Sequence, residues 1–99
     1  MIAVRNIVWT EKARAGYIGI IEYLLEKWST KEANKFHEKT IKALRHISEF
    51  PEIFTLSHKK NIRKYLIVRQ ITVYYKVFPK KIVLITFWDN RQNPSKLKF

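Results

Sequence analysis

Residues 62–88 read IRKYLIVRQITVYYKVFPKKIVLITFW, and this stretch decides the fold. β-branched and aromatic residues fill three runs that are separated by two short breaks. The runs cover 62–68, 71–77 and 82–88, with breaks at Arg69-Gln70 and Pro79-Lys80. Residues of these types favour strands, and breaks of this length favour tight turns. The sequence therefore predicts three consecutive strands in an antiparallel meander.

The middle run alternates between two kinds of side chain. One face carries Ile71, Val73, Tyr75 and Val77, and the other carries Thr72, Tyr74 and Lys76. Successive residues of a strand point to opposite faces of the sheet. We therefore expect the first face to pack in the core and the second to be partly wet.

The N-terminal half predicts a short strand followed by a helix. β-branched and aromatic residues cluster at 3–9, and Thr10 is a suitable helix N-cap. From 11 to 28 the chain has helical periodicity. The apolar positions that mark the expected buried stripe are Ile18, Ile21, Leu25 and Trp28, with Tyr17 and Leu24 on the flank.

A second helix is predicted from the spacing of Ser29 and Glu32, which is typical of a capping box. Its expected buried face carries Ala33, Phe36, Thr40, Leu44 and Ile47. Proline disfavours a helical conformation in the preceding residue, so Pro51 should end this helix near Phe50. Residues 51–61 have neither period and are interpreted as a loop.

These elements predict an α+β fold in a single domain that spans residues 1–99. The order is an N-terminal strand, an antiparallel helix hairpin and a three-stranded antiparallel meander. The helices are expected to pack on one face of the sheet, and the first strand is expected to join that sheet. A hydrophobic content of 46% is consistent with a folded core.

The composition excludes several classes of protein. The chain has no cysteine, so it has neither disulfides nor thiolate metal sites. Its longest apolar runs are far shorter than the roughly 20 residues that span a bilayer, and residues 1–10 lack the apolar region of a signal peptide. We expect a soluble, cytoplasmic protein.

Common catalytic motifs are also missing from the sequence. His37 and His46 are nine residues apart on one predicted helix, which places them on opposite faces and argues against a shared metal ion. The two glycines, Gly16 and Gly19, do not form a phosphate-binding loop. The glutamates lie mostly near lysines on the predicted helices, and no serine has a recognisable base beside it. We expect no cofactor and no metal.

Positive charge is concentrated in the C-terminal half. The chain carries 20 Lys and Arg against 8 Asp and Glu, a formal charge of +12. Asp89 is the single acid after residue 56, so nearly all of the excess charge lies in 57–99. Such a charge predicts a polyanionic or acidic partner.

The basic residues near the predicted meander are candidates for phosphate contacts. They are His58, Lys59, Lys60, Arg63, Lys64, Arg69, Arg91, Lys96 and Lys98. Guanidinium groups bind phosphate oxygens in a bidentate way, and the rings of Tyr65, Tyr74 and Tyr75 would offer stacking surfaces for bases. The alternative interpretation is that these are solubilising charges and core aromatic residues.

Nearly the whole chain resembles the RelE/ParE superfamily of toxins from type II toxin-antitoxin systems. The resemblance rests on the order of elements and on local motifs. The motifs are W-T-x-x-A at 9–13, I-x-x-x-L and a following W at 21–28, A-x-x-F at 33–36, the Phe50-Pro51 helix stop, I-R-x-x-x-I-V from 62, I-x-x-Y-Y-K-V from 71 and W-D-x-R-Q-N-P at 88–94. The last motif is the most specific.

The resemblance to the RelE-like branch implies a ribosome-associated endoribonuclease that cuts mRNA without a metal. Its catalytic positions match Arg63, Arg91 and Lys60 here, and attack by a 2′-hydroxyl would break the RNA chain. RNA-binding positions would be His58, Lys59, Lys64 and Lys96, with His58 able to titrate near neutral pH. The RelE-like enzymes also use a tyrosine in a C-terminal helix, and this chain has no tyrosine after Phe87.

The ParE-like branch shares the fold and implies a different target. Its members poison DNA gyrase by binding, without that catalytic set. The sequence is interpreted first as an mRNA endoribonuclease, and two alternatives remain: a non-enzymatic gyrase inhibitor and a non-toxic residual module that binds an antitoxin. All three imply an acidic, partly disordered antitoxin that lies over the basic surface and the sheet edge.

Overall fold

The computed structural model describes residues 5–57, 61–92 and 96–97, and these ranges form an α+β fold of two helices and four strands. The elements in chain order are β1 (Asn6–Trp9), α1 (Glu11–Lys27), α2 (Thr30–Glu49), β2 (Ile62–Val68), β3 (Ile71–Val77) and β4 (Lys81–Asp89). The predicted order of elements is confirmed. None of the helices in the described ranges is long and apolar enough to cross a bilayer.

The predicted helix boundaries are confirmed by their caps. The Thr10 hydroxyl accepts a hydrogen bond from the Ala13 backbone N–H at 3.0 Å, and the Ser29 hydroxyl accepts one from the Glu32 N–H at 3.2 Å. Each bond satisfies a backbone donor that the first turn of a helix leaves free. Phe50 caps the end of α2, directly before Pro51.

The sheet has the strand order β1-β4-β3-β2. The meander is antiparallel, as predicted, and β1 lies parallel to β4, with Asn6 opposite Lys81 and Trp9 opposite Leu84. A shift in register places Leu84 opposite Tyr75 and Thr86 opposite Tyr74, so Ile85 is the extra residue of a bulge in β4.

One face of the sheet packs against the helices, and we call it the covered face. Ala13 of α1 and Ile47 of α2 meet Val73, Tyr75 and Leu84, and all five side chains have 0% exposure. The predicted apolar face of β3 and the predicted buried face of α2 are both confirmed. We call the opposite side of the sheet the helix-free face.

The predicted buried stripe of α1 is wrong at three of its four positions. Ile18, Leu25 and Trp28 are 47%, 50% and 68% exposed. The face of α1 that packs on the core instead contains Ala13, Tyr17, Ile20, Ile21 and Leu24. Helical periodicity gave the helix but could not show which of two neighbouring apolar stripes meets the sheet. The helix therefore leaves large apolar side chains at the surface.

The expectation of a partly wet face on β3 is also wrong for two residues. Thr72 is 6% exposed and Tyr74 is 8% exposed, although both point to the helix-free face. The reason is that β3 is an inner strand of the sheet, so side chains of both neighbouring strands flank it. Tyr74, for example, lies between Lys64 of β2 and Thr86 of β4.

Part of the predicted loop pairs with the edge of the sheet. The Ser57 backbone N–H donates to the Ile62 carbonyl at 2.8 Å, and the Lys64 N–H donates to the Thr55 carbonyl at 2.9 Å. These bonds cover the first half of β2. The loop is therefore fixed against the strand that carries Arg63.

Candidate functional site

The structure places the predicted site residues in different surroundings. Lys64 and Lys96 are exposed, Arg91 is exposed after the end of β4, and Arg63 is half-buried on β2. His58, Lys59 and Lys60 lie outside the described residues. Their predicted roles in catalysis and RNA binding stay predictions.

Arg63 holds the loop that precedes its own strand. It lies opposite Tyr75, on the covered face, and its Nη1 donates a hydrogen bond to the Phe54 carbonyl at 2.7 Å. The Tyr75 hydroxyl donates to the Pro51 carbonyl at 3.0 Å. Two side chains of adjacent strands therefore fix residues 51–54 through backbone carbonyls. The alternation of Arg63 and Tyr65 with Lys64 is the sequence signal that could have indicated this inward direction.

The predicted stacking surfaces for bases are wrong for Tyr74 and Tyr75, because both rings are buried. Burial also raises the pKa of both hydroxyls. Tyr65 lies on the covered face, where its hydroxyl is 3.0 Å from His46 Nδ1 and its ring packs edge-on against Phe54 at 4.8 Å. The three tyrosines support the fold.

Arg91 is paired with Asp89 at the end of β4. Its Nε and Nη2 atoms donate to the two carboxylate oxygens at 3.0 and 2.8 Å, and its backbone N–H donates to Oδ1 at 2.9 Å. The hydrogen bond from the Arg91 side chain holds the pKa of Asp89 below its usual range. The pair closes the turn after β4, which accounts for the polar residues that directly follow this strand.

Arg63 and Arg91 are not brought together. Arg63 lies opposite Tyr75 on β3, whereas Asp89 lies opposite Ile71, which is four residues along that strand. With a strand rise near 3.3 Å and a spacing near 4.8 Å between strands, the backbones of Arg63 and Asp89 are about 16 Å apart. The two guanidinium groups also have separate partners, a loop carbonyl and a carboxylate.

An open groove lies between the helix hairpin and the last part of β4. Its volume is about 810 Å³. β1 pairs with β4 only as far as Leu84, and α1 runs beside the strand from there on. A Cβ at Gly16 would lie 3.5 Å from the Phe87 carbonyl oxygen, so this helix passes close to the strand edge.

The groove combines an apolar lining with basic residues. Apolar and aromatic lining residues are Ile20, Tyr23, Leu24, Trp28, Phe36, Val68, Ile71, Phe87 and Trp88. Basic lining residues are Lys12, Lys35, Lys39 and Arg91. Two acids, Glu32 and Asp89, also line it, and Asp89 is paired with Arg91. Sequence reasoning did not find this groove, because helix periodicity could not show that Trp28 is left 68% exposed.

The two histidines of α2 each contact a tyrosine. The Tyr17 hydroxyl is hydrogen-bonded to His37 Nδ1, and His46 Nδ1 meets Tyr65. Tyr17 also packs against Trp9, Phe36 and Phe87, and burial raises the pKa of its hydroxyl. Within 5–57, 61–92 and 96–97, no three His, Asp or Glu side chains are grouped to hold a metal ion.

The Asp89–Arg91 pair should make stability depend on acid pH. Because the folded-state pKa of Asp89 is lowered from 3.8, its contribution is present above pH 4 and is lost as pH falls through the folded pKa. We expect Asp89→Asn to remove this part of the loss of stability that acid causes. The measurement is the urea midpoint of wild type and variant between pH 2.5 and 7, at intervals of about half a unit.

Glu52→Gln is the control for the Asp89 variant, since Glu52 lies 3.9 Å from Arg5 and its side chain is 67% exposed. We expect this exposed pair to contribute little. If Asp89→Asn and wild type lose stability in parallel below pH 4, the pair does not stabilise the fold.

Solved structures of small bacterial toxins share this fold. The chromosomal ParDE toxin-antitoxin system from P. aeruginosa matches with a TM-score of 0.75 and 16% identity, over 88% of this chain and 97% of that one. The YoeB dimer from Staphylococcus aureus matches with 0.63 and 16%, over 87% and 97%. The YoeB/ParE toxin from Agrobacterium tumefaciens matches with 0.62 and 14%, over 85% and 97%. These matches show that the chain has the fold of these proteins.

The sequence itself gives the family. The family model for the ParE toxin of the type II toxin-antitoxin system parDE matches residues 7–94. The chain therefore belongs to the ParE toxin family, and it is the toxin of a type II toxin-antitoxin module. Such a toxin has an antitoxin as its partner. The comparison with curated protein sequences gives no match. The predicted superfamily and the predicted fold class are confirmed.

Proposed function

We propose that this toxin acts by binding DNA gyrase, without cutting RNA. The observation that carries the proposal is the separation of Arg63 and Arg91, the two arginines that a RelE-like cleavage site would need. The match to the ParE family model over residues 7–94 also favours the ParE-like branch, for which the resemblance implies gyrase as the target.

The contacts of the two arginines support this choice. A site that cleaves a phosphodiester needs its cationic groups within about 3 Å of the oxygens where charge develops. Arg63 donates to the Phe54 carbonyl on the covered face, and Arg91 is held by both oxygens of Asp89. With the backbones of Arg63 and Asp89 about 16 Å apart, the side chains of Arg63 and Arg91 would have to leave these partners to reach one phosphate.

Expression of the toxin without its antitoxin tests the target. We expect induction of an SOS reporter together with intact transcripts, because gyrase poisoning breaks DNA and leaves mRNA alone. The measurement is SOS reporter activity and the mapping of mRNA 5′ ends in translating ribosomes from one culture. New 5′ ends within translated codons, absent in Arg63→Ala and Arg91→Ala, would establish the ribonuclease instead.

A purified component assay separates direct from indirect effects. Wild-type toxin should inhibit supercoiling by gyrase in the absence of ribosomes. Arg45→Ala, an exposed change on α2, removes one positive charge and serves as the charge control for Arg63→Ala and Arg91→Ala. Normal growth on expression would favour the third hypothesis, a module that binds an antitoxin and has no toxicity.

We further propose that the antitoxin lays an acidic, amphipathic segment in the groove between α1, α2 and β4. Its apolar lining offers buried contact area, and Lys12, Lys35 and Lys39 offer charges for acidic side chains at the rim. The formal charge of +12 favours such a partner over a second copy of the toxin. Affinity should fall between low and moderate ionic strength.

A further inference from the structure

Three lysines extend across the helix-free face of the sheet, from β2 through β3 to the start of β4, and we call them the basic face: Lys64, Lys76 and Lys81. Lys64 lies opposite Tyr74 on β3, and Lys76 follows Tyr74 by two residues and so points to the same side. Lys81 lies across the β3–β4 turn from Phe78, whose backbone N–H donates to the Lys81 carbonyl at 2.8 Å. Exposed Lys80 is in the turn itself.

Two of these lysines contact the ring of Phe78 through their ammonium groups. The Nζ atoms of Lys76 and Lys81 each lie 5.4 Å from the centre of its ring. Cation–π contacts of this length are attractive, so the ring holds the two ammonium groups no farther apart than twice that distance. The arrangement keeps two like charges close together at the surface, where an anion would be attracted to both.

The basic face has no carboxylate within it. All eight acids of the chain are in the described ranges. Six are on the two helices, Glu52 is in the loop after α2, and Asp89 is paired with Arg91 at the opposite end of β4 from Lys81. The strand residues that point to the helix-free face therefore add positive charge without negative charge.

We propose that the basic face binds the phosphate backbone of duplex DNA, independently of base sequence. Lysine ammonium groups are compact charges that attract phosphates without reading bases. Single-stranded nucleic acid is instead recognised largely by stacking on exposed aromatic rings. Among these three lysines the Tyr74 ring is buried and the Phe78 ring already contacts two ammonium groups, so neither of these two rings is free for stacking.

DNA binding by the basic face does not depend on the proposed action on gyrase. Gyrase acts on duplex DNA, so a toxin with this face would contact enzyme and substrate together. DNA binding by the purified toxin is nevertheless measured without gyrase. A toxin that cuts mRNA but binds duplex DNA through these lysines would refute the first proposal and keep this one.

The test is fluorescence anisotropy with the full toxin chain and a labelled duplex of about 20 base pairs, titrated between 50 and 200 mM salt. The variant is Lys64→Gln with Lys76→Gln and Lys81→Gln. The matched control is Lys27→Gln with Lys31→Gln and Lys42→Gln, three exposed helix lysines that remove the same charge. We expect the basic-face variant to bind at least about tenfold more weakly, with a salt slope lower by about three.

The control variant should keep most of the affinity and the salt slope of wild type. Equal weakening in both variants would mean diffuse attraction to a charged protein and would overturn the proposal. So would tighter binding of a single-stranded RNA of equal length, or a basic-face variant that binds DNA normally but loses the antitoxin. Thermal unfolding checks that both variants fold, and Lys81→Gln alone is the second variant if the triple does not.

Discussion

Replacing Tyr75 by alanine should lower the free energy of unfolding by about 3–5 kcal/mol, the usual range for removing a large buried aromatic ring. Among the described residues, Tyr75 is the largest side chain with no exposed surface, and it lies in the middle of β3, one of the two inner strands. Domains of this size are stable by only about 5–15 kcal/mol, so the variant would be near its unfolding threshold. Urea unfolding followed by circular dichroism measures the loss.

Tyr75→Phe separates the ring from its hydroxyl. It keeps the packing and removes the hydrogen bond to the Pro51 carbonyl, so a smaller loss of about 1–3 kcal/mol is expected. Ile53→Ala, a change at a 71% exposed side chain in the same loop, is the control. A loss in Tyr75→Phe as large as in Tyr75→Ala would mean that the loop contact, and not the ring, dominates.

The Tyr75 variants also give a test in alkali. Burial raises the pKa of Tyr75 above the ordinary value of 10.0, so the folded state keeps its proton after the unfolded state has lost it. This contribution to stability is full below pH 10 and declines as pH rises toward the folded pKa. Wild type should lose stability above pH 10 more steeply than Tyr75→Phe does.

Trp28→Ala should weaken antitoxin binding by about thirtyfold or more, as expected when a large aromatic anchor is removed from an interface. Trp28 lines the groove and is 68% exposed, so its loss should hardly change the stability of the free toxin. Titration calorimetry of toxin with antitoxin measures the effect. In cells, the same variant should need more antitoxin to restore growth.

Leu25→Ala is the matched control for Trp28. Leu25 is 50% exposed on the same helix, and it is not part of the lining of the groove. Loss of antitoxin affinity in Leu25→Ala with none in Trp28→Ala would move the antitoxin to the other side of α1. An affinity that does not respond to salt would count against an acidic partner.

Sequence patterns predicted the elements of this fold well because each has a local physical cause. Thr10 and Ser29 cap helices through contacts within three residues, and Pro51 ends α2 by its effect on one neighbour. The partners of β1 could not be found in this way. Nothing local to Asn6–Trp9 indicates that it lies parallel to β4, because that pairing joins residues more than seventy positions apart.

The predicted site residues came more from the resemblance to the toxin superfamily than from physical properties of the sequence. Motif matching gave Arg63 and Arg91, but it could not show that Arg63 turns to the covered face or that Asp89 holds Arg91. The groove and the basic face arise from packing between distant segments. The periodicity of α1 predicts that Trp28 lies in the core, but its exposure depends on which stripe of α1 meets the sheet. Tertiary packing decides which apolar stripe of a helix is buried, and the periodicity of the helix alone does not.

The parallel pairing of β1 with β4 also bears on when the toxin can fold during synthesis. The Thr10 hydroxyl, which caps α1, donates to the Leu84 carbonyl at 2.9 Å, so the first helix is anchored by the last strand. Contacts of such sequence separation form slowly and only after the intervening chain exists. We expect a nascent chain that ends before Lys81 to hold the helices and the β2–β3 hairpin but to lack β4 and the partner of β1, so the fold is completed only near the end of synthesis.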